Sequence, residues 1–153
     1  MYKDLIETAH ILCQDKPNQL ALLSNMSAHI YQSIPRLNWV GFYLYDSKGL
    51  VLGPFQGKTA TTYIDLHRGV CGQAARSLKT VMVPDVHLHP DHIACDEASE
   101  SELVIPIIIN ETLYGVLDID SPVKHRFDDT LIKALEEIVA ILVKSIDNTP
   151  FFK

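Results

Sequence analysis

At Asn38 the hydrophobic period of this sequence changes, and that change limits the fold more than any other feature. Before it, Leu5, Ile6, Ala9, Leu12 and Cys13 recur at helical spacing, Pro17 interrupts, and Leu20, Leu23, Met26, Ile30, Tyr31 and Ile34 resume the pattern as far as Pro35. After it, Trp39, Gly41, Tyr43 and Tyr45 alternate with Val40, Phe42 and Leu44, a period of two that belongs to a strand. The DSKG turn sends the chain back through residues 50–55, which predicts a β-hairpin with an aromatic face. Gly53, Pro54 and the Gln56-Gly57-Lys58 run stop that strand, and a weaker one follows near residues 62–66. Residues 81–83 read as a short strand ended by Pro84. Residues 103–109 are apolar and β-branched, turn at Asn110 and Glu111, and return as 113–119 with Gly115 inside, a second hairpin. Asp128 or Asp129 then caps a last helix, whose apolar positions from Leu131 to Ile146 leave Lys133, Glu136, Glu137 and Lys144 to solvent. Helices at both ends with hairpins between them predict an antiparallel sheet with helices packed on it, the α+β class.

The 153 residues are 47% hydrophobic and 21% charged, which fits one domain over residues 1–149 and leaves 150–153 as an unpacked tail. A formal charge of −6 argues against nucleic acid or an anionic membrane as the main partner, since both attract basic patches. The N-terminal MYKDLIETAH mixes acids into its apolar positions, so neither a secretory signal nor a membrane span is expected, and the chain reads as cytoplasmic. Three cysteines in such a chain are expected to rest as thiols, any disulfide being transient. Cys13 lies on the first apolar stripe and reads as a small buried hydrophobe.

The other two, Cys71 and Cys95, bound a polar loop punctuated by Pro84 and Pro90. Cys71 sits between Gly69 and Gly72 just before the helical-looking run 73–78, so it belongs near a helix N-terminus. Neither cysteine has the periodic apolar neighbours of a core residue, and both read as chemical. Three carboxylates accompany them. Asp118 and Asp120 alternate with Ile119 and so share one face of the last strand, while Glu102 stands where the preceding strand begins. Acids at strand ends are often merely solvated, and the face of Glu102 depends on the hairpin. A two-residue turn at Asn110 and Glu111 pairs Glu102 with Ile119, away from the aspartates, whereas a three-residue loop, or a bulge at Pro106, pairs it with Asp120. Both registers stay open at this point.

The runs WVGFYLY, LGPFQGK, GVCG, VPDVHLHPDHIACD, SELVIPI and GVLDIDSP, in that order, resemble the free methionine-R-sulfoxide reductases, a family of GAF-domain enzymes. The resemblance covers residues 39–122, and the flanking helices fit a GAF domain more loosely. It implies a single GAF-like domain in which Cys95 is the nucleophile and Cys71 the resolving cysteine. It also implies that Trp39 and Tyr43 wall the pocket for the substrate's S-methyl group, and that Glu102, Asp118 and Asp120 hold the sulfoxide end. The free amino acid and its R epimer come from the resemblance alone. One departure is visible: where members often carry a third cysteine shortly after the QGK run, this chain has Thr61 and its neighbours, which leaves Cys71 as the partner of Cys95.

The chemistry suits these residues. A thiolate attacks the sulfoxide sulfur while the oxygen takes a proton, leaving a sulfenic acid that a second thiol condenses into a disulfide. Crowded carboxylates raise one another's apparent pKa, so one of the three acids can stay protonated near neutral pH; Asp120 and Glu102 are assigned to the oxygen and Asp118 to their support. No metal or organic cofactor is needed, and a dithiol protein such as thioredoxin would restore both thiols. The loop of residues 84–101 is expected to be held weakly and to close as a lid over a small pocket. Two other readings remain: a GAF module that senses a small ligand without chemistry, and a zinc site made by His87, His89, His92 and Cys95. The oligomeric state is left open, a homodimer included.

Overall fold

The computed structural model describes residues 1–93 and 96–146. Cys95 and the 150–153 tail therefore lie outside the described residues. In chain order the elements are α1 (Lys3–Leu12), α2 (Gln19–Ser33), β1 (Trp39–Tyr45), β2 (Gly49–Gly57), β3 (Tyr63–Asp65), α3 (Gly69–Ser77), β4 (Val81–Val83), a 3-10 turn (Val86–Leu88), β5 (Ser101–Ile109), β6 (Thr112–Ser121) and α4 (Asp129–Ser145). The strands form one antiparallel sheet in the order β3-β2-β1-β6-β5-β4, so the two expected hairpins meet through β1 and β6 at its centre. The α+β expectation holds.

Alternation along the strands divides the interior in two. Val40, Phe42, Leu44, Leu103, Ile105, Leu117 and Ile119 face one side, where α1, α2 and α4 close the main core with Leu22, Leu23, Met26, Ile30, Leu135 and Ile138. Trp39, Tyr43, Val104 and Val116 face the other side, which the short helix α3 covers with Val70, Cys71, Ala74 and Ala75, joined by loop residues such as Val86 and Ile93. Three long helices seal one face, and a loop-flanked helix roofs the other. The thinner roof leaves room for a pocket.

Local sequence explains the boundaries. Asp128 caps α4 through Oδ1, which accepts from the Leu131 N–H at 2.8 Å, an interaction worth about 1 kcal/mol. Asn18 does the same for α2, accepting from the Leu20 N–H at 2.9 Å. Cys13 ends α1, only partly buried against the core rather than deep within it, and burial raises its thiol pKa. Among the described residues no helix is long and apolar enough to cross a membrane.

The β5–β6 register answers the question of Glu102. The turn has two residues, Asn110 and Glu111, both at positive φ (50° and 64°) as a type I′ hairpin requires, and Ile109 pairs with Thr112. The register then shifts: Ile108 pairs with Leu113 but Ile107 with Gly115, so Tyr114 is the extra residue of a bulge. From there Glu102 pairs with Asp120 and Val104 with Asp118. Both halves of the sequence reading are thus present, the short turn and the bulge, with the bulge beside the turn rather than at Pro106.

Candidate active site

Because of that bulge, three acids share the α3 side of the sheet. β1 pairs Trp39 with Asp120 and Gly41 with Asp118, so the aromatic face and the acid face are the same face. α3 runs over it and lowers Cys71, its third residue, onto the carboxylates. One ligand-type atom each from Cys71, Glu102 and Asp118 lie within 4.8 Å of one another. All three are buried, at 4%, 5% and 6% exposure.

Above this polar floor stand apolar walls. Trp39, Tyr43, Ala60, Ile64, Val70 and Ile93 surround about 370 Å³ of empty space, counted out to its mouth, with Cys71, Glu102, Asp118 and Asp120 at the bottom. Most of that space is open to solvent; the enclosed cavity itself is about 20 Å³, room for about one water molecule. The aromatic wall is fixed at its polar atoms: the Trp39 indole N–H donates to the Lys58 carbonyl at 3.0 Å and the Tyr43 hydroxyl to the Thr61 carbonyl at 2.8 Å. Trp39 stacks between Tyr43 and Phe55, with ring centroids 5.9 and 5.2 Å away. Gly41 makes this stacking possible, since a Cβ there would lie 2.4 Å from the Phe55 Cβ and 2.6 Å from the Trp39 ring.

The electrostatics follow from burial. Desolvation first, then the charge of Glu102 and a hydrogen bond with it, push the Asp118 carboxyl well above its ordinary value, which favours its protonated form. Burial, then the charges of Asp118, Glu102 and Asp120, push the Cys71 thiol up as well. Its place in the first turn of α3 would favour a thiolate, but burial among acids outweighs the helix end, and Cys71 rests as a thiol.

Single side chains anchor the described residues of the loop following β4. Val86 is buried and its N–H donates to the Glu100 carbonyl at 2.9 Å. Asp91 accepts from the Gly69 N–H at 2.8 Å and from Arg68 Nε at 3.0 Å, clipping the loop to the start of α3 and holding its own carboxyl below the usual range. Gly69, at φ 70°, has the Ile93 side chain against it, where a Cβ would come within 3.0 Å. Past the cysteine, buried Asp96 accepts from the Ala98 N–H at 2.9 Å and from the Asn38 amide at 3.1 Å, with Lys58 at 3.7 Å, and these keep it ionised. The loop's three histidines turn to three partners: His87 to Glu100, His89 to Gln73 and His92 to Glu102. They share no common centre, which weakens the zinc reading; Asp85, His87 and Glu100 form a separate surface cluster near Lys124.

The structure brings together Trp39, Tyr43, Cys71, Glu102, Asp118 and Asp120, six of the seven residues singled out above, while Cys95 falls outside the described residues. Sequence reasoning missed Asp91, and it named His92 only as a candidate zinc ligand, not as a neighbour of Glu102. Their one signal was position, in the polar loop that ends at Cys95.

A GAF domain family model matches residues 19–146. The chain is 43% identical to the free methionine-R-sulfoxide reductase of Escherichia coli, over 99% of this chain and 92% of that protein. Among solved structures it is similar to the reduced form of fRMsr of Staphylococcus aureus, with 46% identity, 94% of each chain covered and a TM-score of 0.91. It is also similar to the free methionine-R-sulfoxide reductase of Neisseria meningitidis in complex with its substrate, with 42% identity, 94% of this chain and 87% of that one covered, and a TM-score of 0.90. With this fold, this pocket and relatives that match along nearly their whole length, the chain belongs to the free methionine-R-sulfoxide reductases, a family built on the GAF domain.

Proposed function

We propose that this protein reduces free methionine-R-sulfoxide to methionine by thiol chemistry. One observation carries the reading: a buried thiol, Cys71, shares the floor of an apolar-walled pocket with Glu102, Asp118 and Asp120. A sulfoxide needs those two things together, a dry wall for its methyl group and an acid for its oxygen.

In the reaction the Cys95 thiolate attacks the substrate sulfur. Glu102 and Asp120 hold the oxygen, and the proton stored on Asp118 reaches it through Glu102, to which Asp118 is hydrogen-bonded. The S–O bond breaks, the substrate sulfur gains two electrons and leaves as methionine, and Cys95 keeps the oxygen as a sulfenic acid. The acid cluster is now one proton short and can accept the proton of Cys71. The Cys71 sulfur then attacks Cys95, and the displaced hydroxide takes that proton and leaves as water. An external dithiol protein such as thioredoxin reduces the resulting disulfide. The raised pKa of Cys71 has a use in this scheme: a buried thiol does not compete for the substrate and becomes a nucleophile only once the cluster can take its proton.

The test is a thiol count. Pre-reduced protein mixed with methionine sulfoxide and no reductant should form one equivalent of methionine and lose two thiols, and Cys95→Ser should lose none. Substrate binding without thiol loss would make the protein a sensor and overturn the proposal. Peptides with an internal methionine sulfoxide should react far more slowly than the free amino acid, because the pocket is small.

A further inference from the structure

His92 has no part in the steps above, yet its Nε2 stands 3.2 Å from Glu102 Oε1, with the two side chains only 11% and 7% exposed. Surface histidines meet carboxylates by chance; a pair this enclosed needs a reason. The imidazole is set in place from both sides, by Asp91 clipped to Gly69 and Arg68 and by Ile93 against Gly69 in the pocket wall. Building on the proposed reaction, we propose that His92 is a positioning residue for the acid that serves the sulfoxide oxygen: its Nε2–H donates to Glu102 and keeps that carboxylate aimed into the pocket and ionised between turnovers.

The surroundings support this. Among the described residues, Glu102 faces Cys71 from α3 and Asp118 and Asp120 from β6, besides His92 from the loop. Three of these four are acids or a thiol that bring negative charge when they ionise. Burial holds the His92 imidazole below its ordinary pKa, so at neutral pH it is an uncharged donor. A neutral donor orients Glu102 without a second buried charge that would trap the anion in a permanent ion pair. With its donation directed at Glu102, the cluster's proton resides on Asp118, where burial already favours it. His92 is also three residues before Cys95 in the chain, so one loop carries both the nucleophile and the donor that prepares the acid.

Three substitutions, one of them read by a spectrum, test the idea. His92→Leu keeps bulk and removes the donor; single-turnover reduction should slow on the order of 10- to 100-fold, the worth of a hydrogen bond to a charged group, with KM changed no more than about threefold. Glu102 without its donor holds a proton to higher pH, so the alkaline limb of the pH–rate profile should move upward in this variant. His92→Gln offers an amide N–H near the same place and does not titrate, and it should restore the rate to within about threefold together with the original limb. A Leu variant with wild-type rate and limb overturns the proposal, and so does a Gln variant as slow as the Leu variant. The pairing itself is read without turnover: in proton NMR, Glu102→Gln should lower the pKa of the His92 ring, and an unchanged titration overturns it. If the wild type reduces no sulfoxide while this coupling persists, the proposed reaction falls and the His92–Glu102 pairing stands.

Discussion

Asp118→Asn should make the protein more stable and less active at once, and the size of the gain should depend on pH. In the folded state burial and the charge of Glu102 raise the Asp118 carboxyl well above its ordinary value, whereas the unfolded chain has a carboxyl near 3.9. Between those two values the native state holds a proton that the unfolded state has lost. Stability from this group is therefore full below the unfolded pKa and drains away as pH rises toward the folded one. For one proton the slope reaches about 1.4 kcal/mol per pH unit, which in a domain of this size is about 3–5 °C in Tm. Asparagine has no such proton, while its carbonyl can accept from the Cys71 S–H and its amide can donate to Glu102, so the packing is kept. The Tm of the variant minus that of the wild type should thus widen across pH 5, 6 and 7 at up to that rate, in favour of the variant. Calorimetry at several pH values measures it, with the slope belonging to the acid cluster as a whole because its members titrate together. Activity should fall by about 100-fold or more, since an amide supplies no acid proton. Parallel Tm–pH curves for the two proteins would refute the reasoning, for then Asp118 is not a buried neutral acid.

Two other outcomes are expected. Cys71→Ser should complete one turnover and stop, with a sulfenic acid that dimedone traps; continued turnover with a dithiol protein would remove Cys71 from the resolving role. Gly41→Ala puts a Cβ 2.4 Å from that of Phe55 and 2.6 Å from the Trp39 ring, so it should destabilise by about 1–3 kcal/mol and, as Trp39 is driven into the pocket, raise KM more than it lowers kcat. A KM and Tm equal to wild type would take Trp39 out of the wall.

How far the sequence disclosed this fold depends on where a signal is periodic. The alternation of Trp39, Gly41 and Tyr43 with Val40 and Phe42 leads directly to the two-sided sheet, and the strand at 81–83 and the Asp128 cap fall where the residues predict them. Cys71 lies in the first turn of α3, at the helix N-terminus expected for it, and Gly69 at φ 70° begins the helix four residues before the run that looks helical. The face of Glu102 was undecidable for a physical reason: it rests on one unpaired residue, Tyr114, and a bulge leaves the pattern of hydrophobic residues on either side intact. A faint sign was present in Gly115, since a glycine within a strand marks a bulge or a close approach. A Cβ there would lie 2.4 Å from the Tyr43 carbonyl, and thus the same glycine also lets β1 and β6 meet at the centre of the sheet.

The anchors of the loop between β4 and β5 were not legible in the sequence, because polar anchoring has no period. Its sequence lacks apolar spacing, and from that a weakly held lid is the natural expectation. Among the described residues, single side chains anchor it: Asp91 on the Gly69 and Arg68 donors, His92 on Glu102, and Asp96 on Asn38 and the Ala98 N–H. Asp91 is 40% exposed at its ion pair with Arg68, so solvent screens it, while Asp96 and the His92–Glu102 pair are enclosed. These anchors also act at particular points, and each point belongs to the site. Asp91 fixes the start of the helix that carries Cys71, and His92 touches the acid. Any opening wide enough to lift His92 away must break its contact with Glu102, which changes the balance of charge around Asp118. If the loop moves, its movement and the protonation of the acids are linked through this one contact.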